Sequence, residues 1–186
     1  MLTSLDPALL AEAFPAELRA DALVAGAETA SLLDPRQWTE RFAVKIANET
    51  VLIPARLNFV SEEGDLQPGS TKWQMARALQ TRDNDGFARQ RAVRDVLANV
   101  EPWAAPFVVA LIGDYVVEIL SEIDAALTPE LTNLLAAFIR ENPEYWAITK
   151  QRVGSYWDAY YRSPRNRSTY VGFRLIEKLE AASPAT

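Results

Sequence analysis

The sequence predicts a mainly α protein, a single-domain multi-helical bundle with one small β-hairpin near residues 41–59. Three observations predict it. A capping side chain stands directly before proline at Asp6-Pro7, Asp34-Pro35, Thr128-Pro129, Asn142-Pro143 and Ser163-Pro164. In that pairing the cap oxygen accepts orphan N–H groups, and proline, with no N–H to lose, fills the first helical position. Apolar residues recur every three or four positions through most of the second half, the period of a helix with one buried face. Only Arg41 to Phe59 alternates, with Phe42, Val44 and Ile46, then Val51, Ile53, Ala55, Leu57 and Phe59. That is the period of a half-buried strand.

Taken in order, residues 6–40 form two or three short helices, broken at Phe14-Pro15 and Asp34-Pro35. The alternating run turns near Asn48-Glu49, and Pro54 confines its strand to an edge because proline brings no ladder donor. The polar residues 61–70 form a loop. A helical core then spans 71–182. Its first helices, Ser70 to Gln80 and Phe87 to Val100, are joined by Asp83-Asn84-Asp85-Gly86. This turn is not a calcium loop, since arginines stand where ligands are needed. Pro106 opens the most apolar helix, running to Ala126 and belonging at the centre of the domain. Pro129 to Glu141 places Leu131, Leu134, Leu135, Phe138 and Ile139 on one face. Pro143 to Arg162 carries Trp146, Thr149, Val153, Tyr156, Trp157 and Tyr160 at helical spacing, so Trp157 is expected in the core. A chain of 186 residues, 49% hydrophobic, suffices for one substantial core, and a single domain over 1–186 is the expectation.

Composition removes much chemistry. The chain has no cysteine and no histidine. Thiol nucleophiles, disulfides, the usual zinc sets, imidazole acid–base catalysis and a Ser-His-Asp triad are therefore excluded. Walker, Gly-x-Gly-x-x-Gly and Gly-x-Ser-x-Gly motifs are absent, and only 7 glycines are scattered along the chain. No cofactor is expected. The N-terminus shows no basic region followed by an apolar run, and the apolar block Trp103 to Ile112 is too short to span a bilayer. A cytoplasmic protein with no membrane association is expected, and arginine- and alanine-rich usage suggests a bacterial genome rich in GC.

The formal charge is −6, yet from Arg140 onward cations outnumber anions. Within that segment lies RVGSYWDAYYRSPRNRSTYVGFR, residues 152–174, where aromatic rings alternate with arginines. Guanidinium forks and ring faces bind carboxylates, phosphates and other rings. The candidate ligand- or partner-binding residues are Arg152, Tyr156, Tyr160, Tyr161, Arg162, Arg165, Arg167 and Tyr170. Against this stands a plain alternative, in which Val153, Trp157 and Tyr160 form a core face and the arginines lie in solvent. More rings occur here than one face can hide, because Tyr156 and Trp157 are adjacent, as are Tyr160 and Tyr161.

A second constellation is an acidic line, Asp114, Glu118 and Glu122, at i, i+4 and i+8 of the apolar helix. Asp114 and Glu118 are its candidates for an oxygen-ligated metal, against a reading as exposed or ion-paired carboxylates. The function these features favour is a non-catalytic interaction protein whose C-terminal aromatic and arginine surface docks an acidic or phosphorylated protein or a small anionic ligand. Overall acidity disfavours nucleic acid. Two alternatives remain open. One is an enzyme using carboxylates and arginines on an anionic substrate, with magnesium. The other is a small acidic antagonist of a basic protein, as immunity proteins are.

Overall fold

The structure is a computed structural model that describes residues 5–61, 64–162 and 166–183. They are mainly helical, with one two-stranded antiparallel hairpin. The fold class is the one the sequence predicts. The chain falls into two compact units, Met1–Asn99 and Val100–Thr186.

The first unit contains helices α1 (Pro7–Ala11) and α2 (Arg19–Leu32), strands β1 (Arg41–Ile46) and β2 (Glu49–Pro54), and helices α3 (Thr71–Gln80) and α4 (Gly86–Leu97). Asp6 caps α1 by accepting from the Ala8 N–H at 2.9 Å. Asp34-Pro35 opens no helix. Its carboxylate accepts from the Arg36 N–H at 2.9 Å and its carbonyl from the Gln37 N–H at 3.2 Å, so the same capping chemistry closes a turn instead. Ser163-Pro164 lies outside the described residues.

The hairpin pairs Ile46 with Glu49 and Arg41 with Pro54. The turn is therefore Ala47-Asn48, one residue earlier than the sequence suggests, and both residues have positive φ, 51° and 68°. Counting back from such a two-residue turn, hydrogen-bonded pairs alternate as 46/49, 44/51 and 42/53. Pro54 then stands where a backbone N–H would point away from β1, and its missing donor costs no ladder bond. Leu52, with the same orientation, confirms the alternation by donating outward to the Glu12 carbonyl at 2.9 Å. Regular pairing ends at Pro54 although the alternating sequence continues to Phe59. Beyond it the Ala55 N–H still donates across to the Glu40 carbonyl at 2.7 Å, while the buried Arg82 donates to the outward-facing Pro54 carbonyl at 3.1 Å and to the Ala55 carbonyl at 2.6 Å. Leu57 makes a single bridge to Asp83 and Phe59 one to Leu33. The Asp83–Gly86 segment is a capped turn. Asp85 accepts from the Phe87 and Ala88 N–H groups, while the buried Arg89 donates to the Asp83 and Asn84 carbonyls, both at 3.0 Å.

The second unit contains helices α5 (Ala105–Ile112), α6 (Val117–Ala126), α7 (Pro129–Glu141), α8 (Pro143–Tyr156) and α9 (Val171–Ala181). All residues of α5 are buried, which accords with a central place for it in this unit. The single helix expected over 106–126 is two. Gly113 ends α5, and the Asp114 carboxylate accepts from the Val116 N–H at 3.0 Å, offering the backbone a partner outside the helix ladder. Asp114 is thus buried in a joint, not one step of an acidic helical line. A side chain on Gly113 would come within 3.3 Å of the Arg152 Cβ, so α8 passes close to this joint. Farther along, Gly172 sits where α6, α8 and α9 meet. A Cβ there would lie 2.8 Å from Val153 Cγ1 and 3.2 Å from Leu120 Cδ2. Among the described residues no helix is long and apolar enough to cross a membrane.

Candidate functional site

The end of α8 does not stop as an α-helix. It runs into a π-helical turn, Trp157–Tyr161, whose wider winding re-aims the side chains after Tyr156. The result is a continuous chain of seven rings. Trp157 packs edge-on to Phe173 at 5.8 Å, and Phe173 to Tyr170 at 5.9 Å. Tyr170 stacks on Tyr161 at 5.2 Å, and Tyr161 meets Tyr160 at 6.5 Å. Tyr160 stacks on Tyr156 at 6.2 Å, and Tyr115 lies against both, at 6.3 and 5.8 Å.

The two ends of this chain differ. Tyr170 is fully buried, so this candidate serves the core and its ring is not offered to a ligand. Trp157 is half-buried rather than enclosed, because the π-turn lays it beside Phe173 at the margin of the core. At the other end Tyr160 is 62% exposed and Tyr115 41%. Tyr156 and Tyr161 are half-buried between them. The Tyr161 hydroxyl donates to the Tyr115 carbonyl at 2.8 Å, tying the π-turn to the α5–α6 joint. Tyr115 was missed by sequence reasoning because an unbroken helix over 106–126 made it an ordinary helical residue. The Gly113-Asp114 pair was the signal that the helix breaks and that Tyr115 is displayed from a joint.

The cations divide in the same way. Arg174 and Lys178 of α9 both hold Asp124 of α6, at 3.0 and 2.7 Å, and Lys150 of α8 holds Glu180 of α9 at 2.7 Å. These pairs staple helices. Burial pushes the Asp124 carboxyl up, but hydrogen bonds from Lys178 and Arg174, and their charges, outweigh it and hold the group below its ordinary value. Glu180 is lowered chiefly by its hydrogen bond from Lys150, against partial burial, with help from the Trp146 indole N–H.

Arg152, Arg162 and Arg167 are exposed. Arg162 pairs with Asp158 at 3.0 Å, four residues back, with both side chains mostly in solvent. Such a pair contributes only about 0.3–0.5 kcal/mol. Arg167 lies over the Phe173 ring at 4.6 Å and borders a groove of about 490 Å³ with Asn166, Ser168, Ile176 and Glu177. Arg152 meets no carboxylate among the described residues. Arg165 lies outside the described residues.

The structure therefore brings Arg152, Tyr156, Tyr160, Tyr161 and Arg162 together along one helix end, adds Tyr115, sets Arg167 on a separate groove, and removes Tyr170 to the core. The two carboxylates considered for a metal are not joined. Asp114 is buried and engaged with backbone, whereas Glu118 is exposed in the first turn of α6, where it complements the helix dipole. Among the described residues no group of three acidic side chains gathers to hold a metal ion. No family model, curated protein or solved structure matches the chain.

Proposed function

We propose that this is a cytoplasmic, non-catalytic interaction protein, which docks an acidic or phosphate-bearing partner on the surface formed by Arg152, Tyr156, Tyr160, Arg162 and Tyr115. The observation that carries the reading is the state of Tyr160. It is 62% exposed, yet Tyr156, Tyr161 and Tyr115 all pack against it. An exposed ring in a fixed orientation has already lost the entropy that binding would otherwise take from it, and tyrosine and arginine are the types enriched at interface hot spots. Two exposed arginines flank it in sequence. Exposed guanidinium groups favour an anionic partner and make association sensitive to salt.

The test compares stability with binding in one variant, Arg152→Ser/Arg162→Ser. Neither side chain is buried, so its melting temperature should match the wild type within the effect of two surface substitutions. Binding to a polyglutamate peptide, present in the wild type at low salt, should be lost. A variant that melts much earlier would assign the two arginines to internal structure and end the docking reading.

A further inference from the structure

We infer that the group docked on this surface is an aryl phosphate, carried as a phosphotyrosyl side chain on an exposed segment of a partner protein. This rests on the docking reading above and makes it specific. A bare anion would use only the arginines, and a bare apolar segment only the rings. A ligand that joins ring and anion engages both halves of the surface at once.

The spacing suits that ligand. Tyr156 and Tyr160 stack with their planes 28° apart, while Tyr161 meets Tyr160 edge-on at 67° and Tyr115 tilts against it at 45°. These contacts fix a tyrosine platform whose outermost ring, Tyr160, keeps most of its surface in water. Arg152 precedes Tyr156 by four residues, one helical turn or about 6 Å of rise. Its stem lies against Gly113, two residues before Tyr115, so it borders the platform about 12 Å of rise from the exposed Tyr160. Arg162 follows Tyr160 by two residues and, among the described residues, pairs with the solvent-exposed Asp158. A carboxylate fills one fork with its two oxygens, whereas the three terminal oxygens and larger charge of a phosphate monoester let both forks engage one group.

A free nucleotide also joins a ring to phosphate. Nucleotide sites, however, commonly cradle phosphate on the backbone N–H groups of a glycine-rich loop, and this chain has no such motif. The observations favour a side chain presented by a protein.

The experiment titrates the full chain with phenyl phosphate, inorganic phosphate, phenol and adenosine monophosphate at one ionic strength, following side-chain NMR signals. Phenyl phosphate should bind about tenfold tighter than inorganic phosphate or phenol, the factor expected from adding one stacked ring to an anion contact. Signals of Tyr156, Tyr160 and Arg152 should move. Tyr160→Leu should reduce phenyl phosphate to the level of inorganic phosphate, with only a small drop in melting temperature for its lost ring contacts, and Arg152→Ser/Arg162→Ser should reduce it to that of phenol with the melting temperature unchanged. If phenyl phosphate binds no better than inorganic phosphate while polyglutamate still docks, the aryl phosphate inference falls and the docking reading stands. If adenosine monophosphate binds tighter than phenyl phosphate, the ligand is a nucleotide and the inference is overturned. If no anion binds, both readings fall together.

Discussion

Gly172 is glycine because three helices leave no room for anything else. A methyl group there would lie 2.8 Å from both Val153 Cγ1 and Tyr170 Cε1. Overpacking of this kind typically costs about 1–3 kcal/mol, so Gly172→Ala should lower the urea midpoint accordingly. An unchanged midpoint would mean that the α8–α9 approach is looser than described. Ala47 shows the opposite situation. Its φ of 51° is a left-handed conformation that asparagine tolerates better than alanine. Ala47→Asn should stabilise the hairpin by up to about 1 kcal/mol, and a drop in melting temperature would contradict that account. At this scale the sequence was partly legible. The exposed state of Arg152 and Arg162 followed from their charge, whereas the burial of Tyr170 did not. A tyrosine among arginines looks like surface until Gly172 beside it is seen to be a crossing point.

At the scale of elements, the pairing of a capping side chain with proline marked helix starts correctly at Asp6, Thr128 and Asn142 and failed at Asp34. Asp6, Thr128 and Asp34 each accept from a backbone N–H two or three residues on, whereas Asn142 makes no such cap bond and its Nδ2 donates back to the Phe138 carbonyl at 2.9 Å. What sets Asp34 apart is the residues that follow, since only an apolar face buried against neighbours sustains a helix beyond its first turn. The break at Gly113–Val116 was missed because hydrophobicity continues across it, and the Asp114 side chain decides the matter through one hydrogen bond to Val116. The register of the hairpin was legible to within one residue. Where β2 ends was not, because the contacts past Pro54 come from residues distant in sequence, with Arg82 taking the Ala55 carbonyl and Asp83 bridging Leu57.

The staples between α6, α8 and α9 also carry a pH dependence. Asp124 and Glu180 have folded pKa values below the ordinary 3.8 and 4.5. A depressed carboxyl pKa stabilises the fold at pH values above the unfolded value, and that contribution is lost as pH falls through the folded value. Stability should therefore decline on acidification from about 4.5 downward. Asp124→Asn should flatten this decline and, at neutral pH, cost at most about 1 kcal/mol because Arg174 and Lys178 are half in solvent. A variant whose acid profile overlays the wild type would show that Asp124 is not the titrating staple.

At the scale of the whole molecule, a chain of net charge −6 concentrates exposed arginines beside exposed tyrosines on one helix end. Which residues belong to that cluster was visible in the sequence as an excess of rings over what one helix face can hide. Which of them face solvent depended on the π-turn and on the joint that displays Tyr115, and neither leaves a periodic trace. The most direct test of the account is an NMR map of polyglutamate binding at low and high salt. Perturbations should be confined to Tyr115 and residues 152–162 and should vanish as salt rises through a few tenths molar, where the screening length falls to about 5 Å. Perturbations centred elsewhere, or binding indifferent to salt, would contradict the claim that this aromatic and arginine surface is the docking site.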